Sequence, residues 1–189
     1  VDVGAINVHV KTTDGKFDND HFVAQVERAK LLLFLTLGGY LMAWDIGTVN
    51  RIIDGDTIEI SFKGNTFKAR LIGIETPESY KSKKSRKQSK ECKLTERELL
   101  HLGKLSKIYT TYTLPVGSKI SFLSVGIDYY GRALVWVKDF NFQIVRDGYA
   151  QVYAHADINY KTKRVLYAIE KRAKAKQKGI WEIIKKDCL

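Results

Sequence analysis

Residues 46–78 read IGTVNRIIDGDTIEISFKGNTFKARLIGIETPE. Two β-rich segments, Ile46–Ile53 and Thr57–Phe62, flank Asp54-Gly55, a favoured tight-turn pair. Lys63-Gly64-Asn65 makes a second turn, and Thr66–Ile74 forms a third strand. Strands joined by turns this short form a meander, which sets the start of the fold.

Outward from that stretch the pattern changes. Tyr80–Lys93 holds seven Lys or Arg and no apolar period, and reads as an exposed loop. Thr95 with Glu98 then forms a capping box, and Leu102, Leu105, Tyr109 and Tyr112 keep one helical face apolar as far as Leu114-Pro115. Two strands follow, Lys119–Val125 and Ala133–Lys138, around the turn Asp128-Tyr129-Tyr130-Gly131. Phe140–Asp147 is a short helix closed by Gly148, and Val165, Ala168, Ile169 and Ala173 mark a last amphipathic helix that ends at Gly179. The expected class is α+β, mainly β. Five short strands and three α-helices suit a small, partly open barrel of the oligonucleotide-binding (OB-fold) kind.

Before the domain, Lys30–Leu37 opens an apolar run of about 14 residues that reaches Trp44, short of the roughly 20 that span a bilayer. Arg28 and Lys30 precede it, and Leu41-Met42-Ala43 resembles a small-residue cleavage site. Residues 26–43 therefore read as a secretory signal segment, with periplasmic or extracellular export as the expected destination. The competing reading is a buried helix or strand that opens the domain. Residues 1–25 stand apart as an extension of unassigned role. In an exported protein the two cysteines, Cys92 and Cys188, invite one disulfide; in a cytosolic one they stay free.

The 189 residues carry 32 Lys and Arg against 21 Asp and Glu, a net charge of +11. Residues 1–43 hold four basic and five acidic side chains, so the whole excess lies in 44–189. A field of that sign draws polyanions and fixes the sign of the partner, not its identity.

Arg70 sits in an otherwise largely apolar strand, on the face of Ile72 and Ile74 by alternation, and a guanidinium there has to find an anion. Glu75 has the opposite parity. Gly73 and Pro77 are the points where the chain can bend and let both reach one site. Glu75 and Glu78 repel each other unless they share a cation. Asp54 reads as a turn residue bonding backbone amides, and Asp56 as the better ligand. Asp56, Glu75 and a loop carbonyl would give calcium the hard oxygens it takes. Zinc does not suit the chain, because His9, His21, His101 and His155 form no ligand pair with a cysteine. A turn residue such as Arg132 is ordinarily solvated, and spacing alone cannot bring it to Arg70.

Taken in order, Ile53-Asp54-Gly55-Asp56-Thr57, Arg70-Leu71, Glu75-Thr76-Pro77-Glu78, Asp128-Tyr129-Tyr130-Gly131-Arg132 and Gly179-Ile180-Trp181 resemble the thermonuclease family, typified by staphylococcal nuclease. The resemblance covers about residues 46–182, within a nuclease-like domain of 44–189. It implies a five-stranded barrel with three helices and a calcium-dependent phosphodiesterase that cuts DNA and RNA to 3′-phosphate ends. By motif position Asp56, Glu75 and the Thr76 carbonyl would hold Ca2+. Glu78 would position or deprotonate the attacking water, and Arg70 and Arg132 would grip the scissile phosphate. The family usually has Asp where this chain has Glu75. Tyr130 matches a tyrosine near the bound nucleotide, whereas Ala154 and Ala156 lie where the best-known member has two tyrosines. Lys83 and Lys84, with Lys81, Arg86, Lys87 and Lys90, would draw in the nucleic-acid strand through phosphate contacts. The expected product of processing is a monomer without stable membrane insertion. A non-catalytic nuclease-like module that binds nucleic acid or a protein is the alternative. The retained arginines and carboxylates weigh against it. They also weigh against a basic adaptor for anionic membranes, which needs no paired carboxylates.

Overall fold

The computed structural model describes residues 44–184 and 188–189; the extension and the signal segment expected over 1–43 lie outside the described residues. β1 (Asp45–Asp54), β2 (Thr57–Phe62), β3 (Asn65–Leu71), β5 (Lys119–Ile127) and β6 (Ala133–Val137) close into a barrel in the order β1-β2-β3-β6-β5. All neighbours are antiparallel except β3 and β6, which run parallel with Ala69 opposite Ala133 and Leu71 opposite Val135. The expected five-stranded α+β barrel is present, and it is closed rather than partly open.

Alternation explains how the barrel fills. Val49, Ile58, Ile60, Ala69, Leu71, Ile120, Phe122, Val135 and Val137 are buried in one core, while Glu59, between Ile58 and Ile60, turns outward to Arg51.

The third strand is shorter than its sequence pattern suggests. It stops at Leu71, and the chain turns through Gly73, whose φ of 84° lies in the left-handed region that favours glycine. It then re-forms as β4 (Ile74–Glu75), which pairs with β7 (Gln151–Val152) outside the barrel. Alternation therefore does not carry past Leu71, so the shared face of Arg70, Ile72 and Ile74 does not persist.

Among the described residues four α-helices surround the barrel, one more than expected. The addition is α1 (Lys83–Cys92), in the segment expected to be an exposed loop. It is nucleated by a reciprocal box in which the Ser82 side chain accepts from the Ser85 amide and the Ser85 hydroxyl accepts from the Ser82 amide. Its inward face is polar, made of Ser85, Gln88 and Ser89 at helical spacing, so no apolar period marks it.

α2 (Glu96–Thr113) starts at the expected Thr95–Glu98 box. Its buried face is Leu99, Leu102, Gly103, Ser106 and Thr110; Tyr112 is exposed. At Gly103 a Cβ would fall 2.1 Å from the Glu78 carbonyl oxygen, so only glycine lets this helix lie directly on the Pro77-Glu78 backbone. The Thr110 hydroxyl donates to the Gly55 carbonyl at 2.8 Å, which fixes the turn after β1 to the same helix.

α3 (Phe140–Arg146) is capped before Gly148 as expected. In α4 (Tyr160–Ala175) the buried stripe is Leu166, Glu170 and Ala173, and Val165 and Ala168 face outward. The stripe is displaced because Glu170, a carboxylate, is buried and accepts from the Val152 amide at 2.7 Å. A 3-10 turn, Gly179–Glu182, brings Ile180 and Trp181 against Leu102 and Ala173 in a second core, beside which Cys92 and Cys188 are disulfide-bonded. No helix among the described residues is long and apolar enough to cross a membrane.

Candidate active site

Arg70 anchors the site. From β3 its guanidinium reaches Asp56 Oδ2 at 2.5 Å with one nitrogen, and Glu75 and the Ile74 carbonyl with another. The bend at Gly73 brings Glu75 back to it, so residues of opposite parity meet as the sequence suggested. Burial by itself would lower the Arg70 pKa, but Asp56 and Glu75 more than reverse this and hold it above its ordinary value. Burial would likewise push Asp56 up, yet the charges of Arg70 and Lys84 keep it below the usual carboxylate range. Asp56 also accepts from the Thr76 amide at 2.9 Å and from the Thr57 hydroxyl at 2.9 Å, which locks both carboxylate oxygens in place.

Glu78 is buried beside this pair. The Lys84 ammonium, from the first turn of α1, lies 2.5 Å from Glu75 Oε1 and 2.7 Å from Glu78 Oε1. Burial would pull its pKa down, but Glu75 and Asp56 hold it above the ordinary value. The two glutamates thus share a cation as their repulsion requires, and in this structure that cation is a lysine.

Arg132 enters from the β5–β6 hairpin. Asp128 orients it, taking the Arg132 amide at 2.9 Å on one oxygen and its Nε at 2.8 Å on the other, while Nη1 donates to the Thr57 hydroxyl at 3.4 Å. The bonds of a turn carboxylate therefore do what spacing alone could not. Asp56, Thr57, Arg70, Glu78, Lys84 and Arg132 line one cleft of about 140 Å³, together with Asp54, Lys68 and Tyr80.

Of the other expected residues, Glu75 and Thr76 lie buried behind Asp56 and Arg70. Lys83 is exposed and does not line the cleft. Tyr130 is 79% exposed, with the Arg132 guanidinium 5.6 Å from its ring centre.

Sequence reasoning missed two participants. Asp54 has its turn role, accepting from the Gly55 amide at 3.1 Å, but it also faces the cleft. Burial first, then the charges of Asp56 and Glu78, push its carboxyl up to about 7. Gln88, 2% exposed, accepts from the Glu78 amide at 3.0 Å and donates to the Thr76 carbonyl at 3.4 Å. A polar residue three positions from Ser85 and one before Ser89 was the available signal.

Could a divalent cation be held here? Among the described residues no three His, Cys, Asp or Glu side chains form a ready-made cluster. The donor set is nonetheless that of a hard cation: the Asp56 and Glu75 carboxylates and the Thr76 carbonyl. The Thr76 hydroxyl is buried without a hydrogen-bond partner. In donor type these residues fit the group, with the Lys84 ammonium sharing Glu75 Oε1 and Arg70 holding Asp56 Oδ2 and Glu75 Oε2.

Residues 68–183 match the family model described as staphylococcal nuclease homologue. The chain is 31% identical to a thermonuclease of Staphylococcus intermedius over 139 residues, 71% of this chain and 74% of that protein. It is 27% identical to an uncharacterized protein of Methanocaldococcus jannaschii over 149 residues, 71% and 70% of the two chains. Identity to endonuclease YhcR of Bacillus subtilis is 32% over 145 residues, 71% of this chain but 11% of that much longer protein. With the family model matched over more than half its length, and a 31% identical relative covered across 74%, the chain belongs to the staphylococcal nuclease homologue family.

Proposed function

We propose that this protein is a calcium-dependent phosphodiesterase that hydrolyses DNA and RNA, leaving 3′-phosphate ends, and that it acts after export to the periplasm or outside the cell. One observation carries the reading: Arg70 and Arg132, from separate parts of the barrel, line one cleft with Asp56 and Glu78. Two guanidiniums held in advance by carboxylates suit a phosphate that gains negative charge as it is attacked. Asp56, Glu75 and the Thr76 carbonyl would hold calcium, which when bound supplies further positive charge against the phosphate oxygens.

The chain's own residues do the rest. Arg70 and Arg132 would donate to the non-bridging oxygens and fix the phosphorus. Glu78, at the cleft wall, would orient a water and take its proton as the water oxygen bonds to phosphorus. The bond from phosphorus to the 5′ oxygen breaks, and that oxygen leaves as a hydroxyl with a proton from solvent. The basic excess of residues 44–189 raises the encounter rate without sequence preference. Belonging to a family with thermonuclease relatives supports the reading, and the Cys92–Cys188 bond supports an oxidising compartment.

Labelled single-stranded DNA incubated with calcium, with magnesium or with chelator tests it. Cleavage with calcium that chelation abolishes is expected. Tight binding without turnover in any of the three would instead establish the non-catalytic module.

A further inference from the structure

We propose that Gln88 is a positioning residue for the candidate site, one that holds the metal-side and water-side oxygens in register from α1; the inference rests on the nuclease reading above. Gln88 is almost wholly buried and touches both parts of the Glu75–Glu78 segment. Its amide oxygen accepts from the Glu78 backbone N–H at 3.0 Å, and its amide nitrogen faces the Thr76 carbonyl at 3.4 Å and Glu75 Oε1 at 3.5 Å. One planar amide thus fixes the carbonyl and carboxylate assigned to calcium, and also the backbone that carries the glutamate assigned to the water. No hydrophobic side chain of the same size can do this, because the segment needs one donor and one acceptor on the same rigid group.

The helix bearing Gln88 is itself held at both ends. At its start Ser85 donates to Glu96 of α2 at 2.8 Å. At its end Cys92 is bonded to Cys188, whose amide donates to the Gln151 side chain at 3.0 Å, and Gln151 is the β-pairing partner of Glu75. The disulfide therefore ties the helix that supplies Gln88 to the strand opposite Glu75. Partners of this kind, one bond removed from a metal ligand, typically change metal affinity or activity by roughly 10–100-fold when lost.

The test compares the full chain with Gln88→Met, which keeps the length and burial but neither donates nor accepts. Calcium affinity is read by calorimetry, turnover by kcat and KM on single-stranded DNA, and folding by thermal midpoint. Expected are a calcium affinity weaker by about tenfold or more and a kcat lower by about 10–100-fold, with KM changed less than about threefold. Unchanged calcium affinity and kcat in folded Gln88→Met would overturn the inference. So would a kcat loss that only tracks the folded fraction. Should the methionine variant not fold, Gln88→Glu keeps the acceptor for Glu78 and sets an anion against the Thr76 carbonyl. A kcat loss of about tenfold or more supports the role, and a wild-type kcat removes it. Failure of the wild-type chain to bind calcium or cut DNA would instead strike the nuclease reading itself.

Discussion

The Lys84 ammonium lies 2.5 Å from Glu75 Oε1 and 2.7 Å from Glu78 Oε1, so one lysine occupies the carboxylates of two residues assigned different tasks. Any cation bound by Glu75 must share or displace it. Its side chain is 46% exposed and can swing to water, so the contact is an exchangeable one. Lys84→Met is expected to tighten calcium binding about fivefold, the equivalent of about 1 kcal/mol for a partly exposed ion pair. Calorimetric titration measures this; an unchanged affinity would mean that the lysine and the ion do not compete.

Arg132 and Glu78 are expected to matter for turnover more than for folding. Arg132→Ala and Glu78→Ala should each lower kcat by roughly 10²–10³-fold on single-stranded DNA. For Arg132→Ala the stability change is expected to stay at about 1 kcal/mol, because its pair with Asp128 is partly open to solvent. Steady-state kinetics beside denaturant unfolding separates the two effects. Full activity in either variant removes that residue from the mechanism.

The disulfide closes a loop with a sequence separation of 96 residues. Replacing Cys92 and Cys188 together by serine should lower unfolding stability by about 2–4 kcal/mol. Urea unfolding of the double variant against the oxidised parent gives the difference directly. Equal stabilities would contradict the placement of the tail beside α1.

Alkaline pH should find a specific weak point. Burial, and then the hydrogen bond that the Tyr109 hydroxyl donates to Asp147 Oδ2 at 2.6 Å, push the Tyr109 phenol up to about 12 from 10.0. The folded chain keeps this proton where the unfolded chain has lost it. The contribution is therefore full below pH 10 and disappears as pH rises towards 12. Tyr109→Phe should flatten this part of the stability profile, read as unfolding free energy against pH for variant and parent. Parallel profiles across the window would refute the assignment.

Much of the site was legible in the sequence because charge and backbone chemistry constrain it locally. A strand arginine demanded an anion, and Gly73 marked the bend that delivers Glu75 to it. Thr95 with Glu98 marked the start of α2 because that cap is formed by neighbours in sequence. What escaped depends on distant partners. α1 looked like a loop because its buried face is polar, and Ser85 and Gln88 are satisfied by Glu96, Thr76 and Glu78 rather than by apolar packing. Glu170 shifted the buried stripe of α4 for the same reason, since only the fold supplies the Val152 amide that it accepts from. Lys84 read as a phosphate contact, and the turn of α1 that directs it onto Glu75 and Glu78 had no apolar signature.

Hydrolysis of single-stranded DNA by the full chain in heavy-oxygen water, with calcium present, tests the central claim most directly. Mass spectrometry of the fragments should find one solvent oxygen in each new 3′-phosphate and none in the 5′-hydroxyl ends. Intact DNA, or solvent oxygen appearing in 5′-phosphates, would contradict an attack by water on phosphorus between Arg70, Arg132 and Glu78.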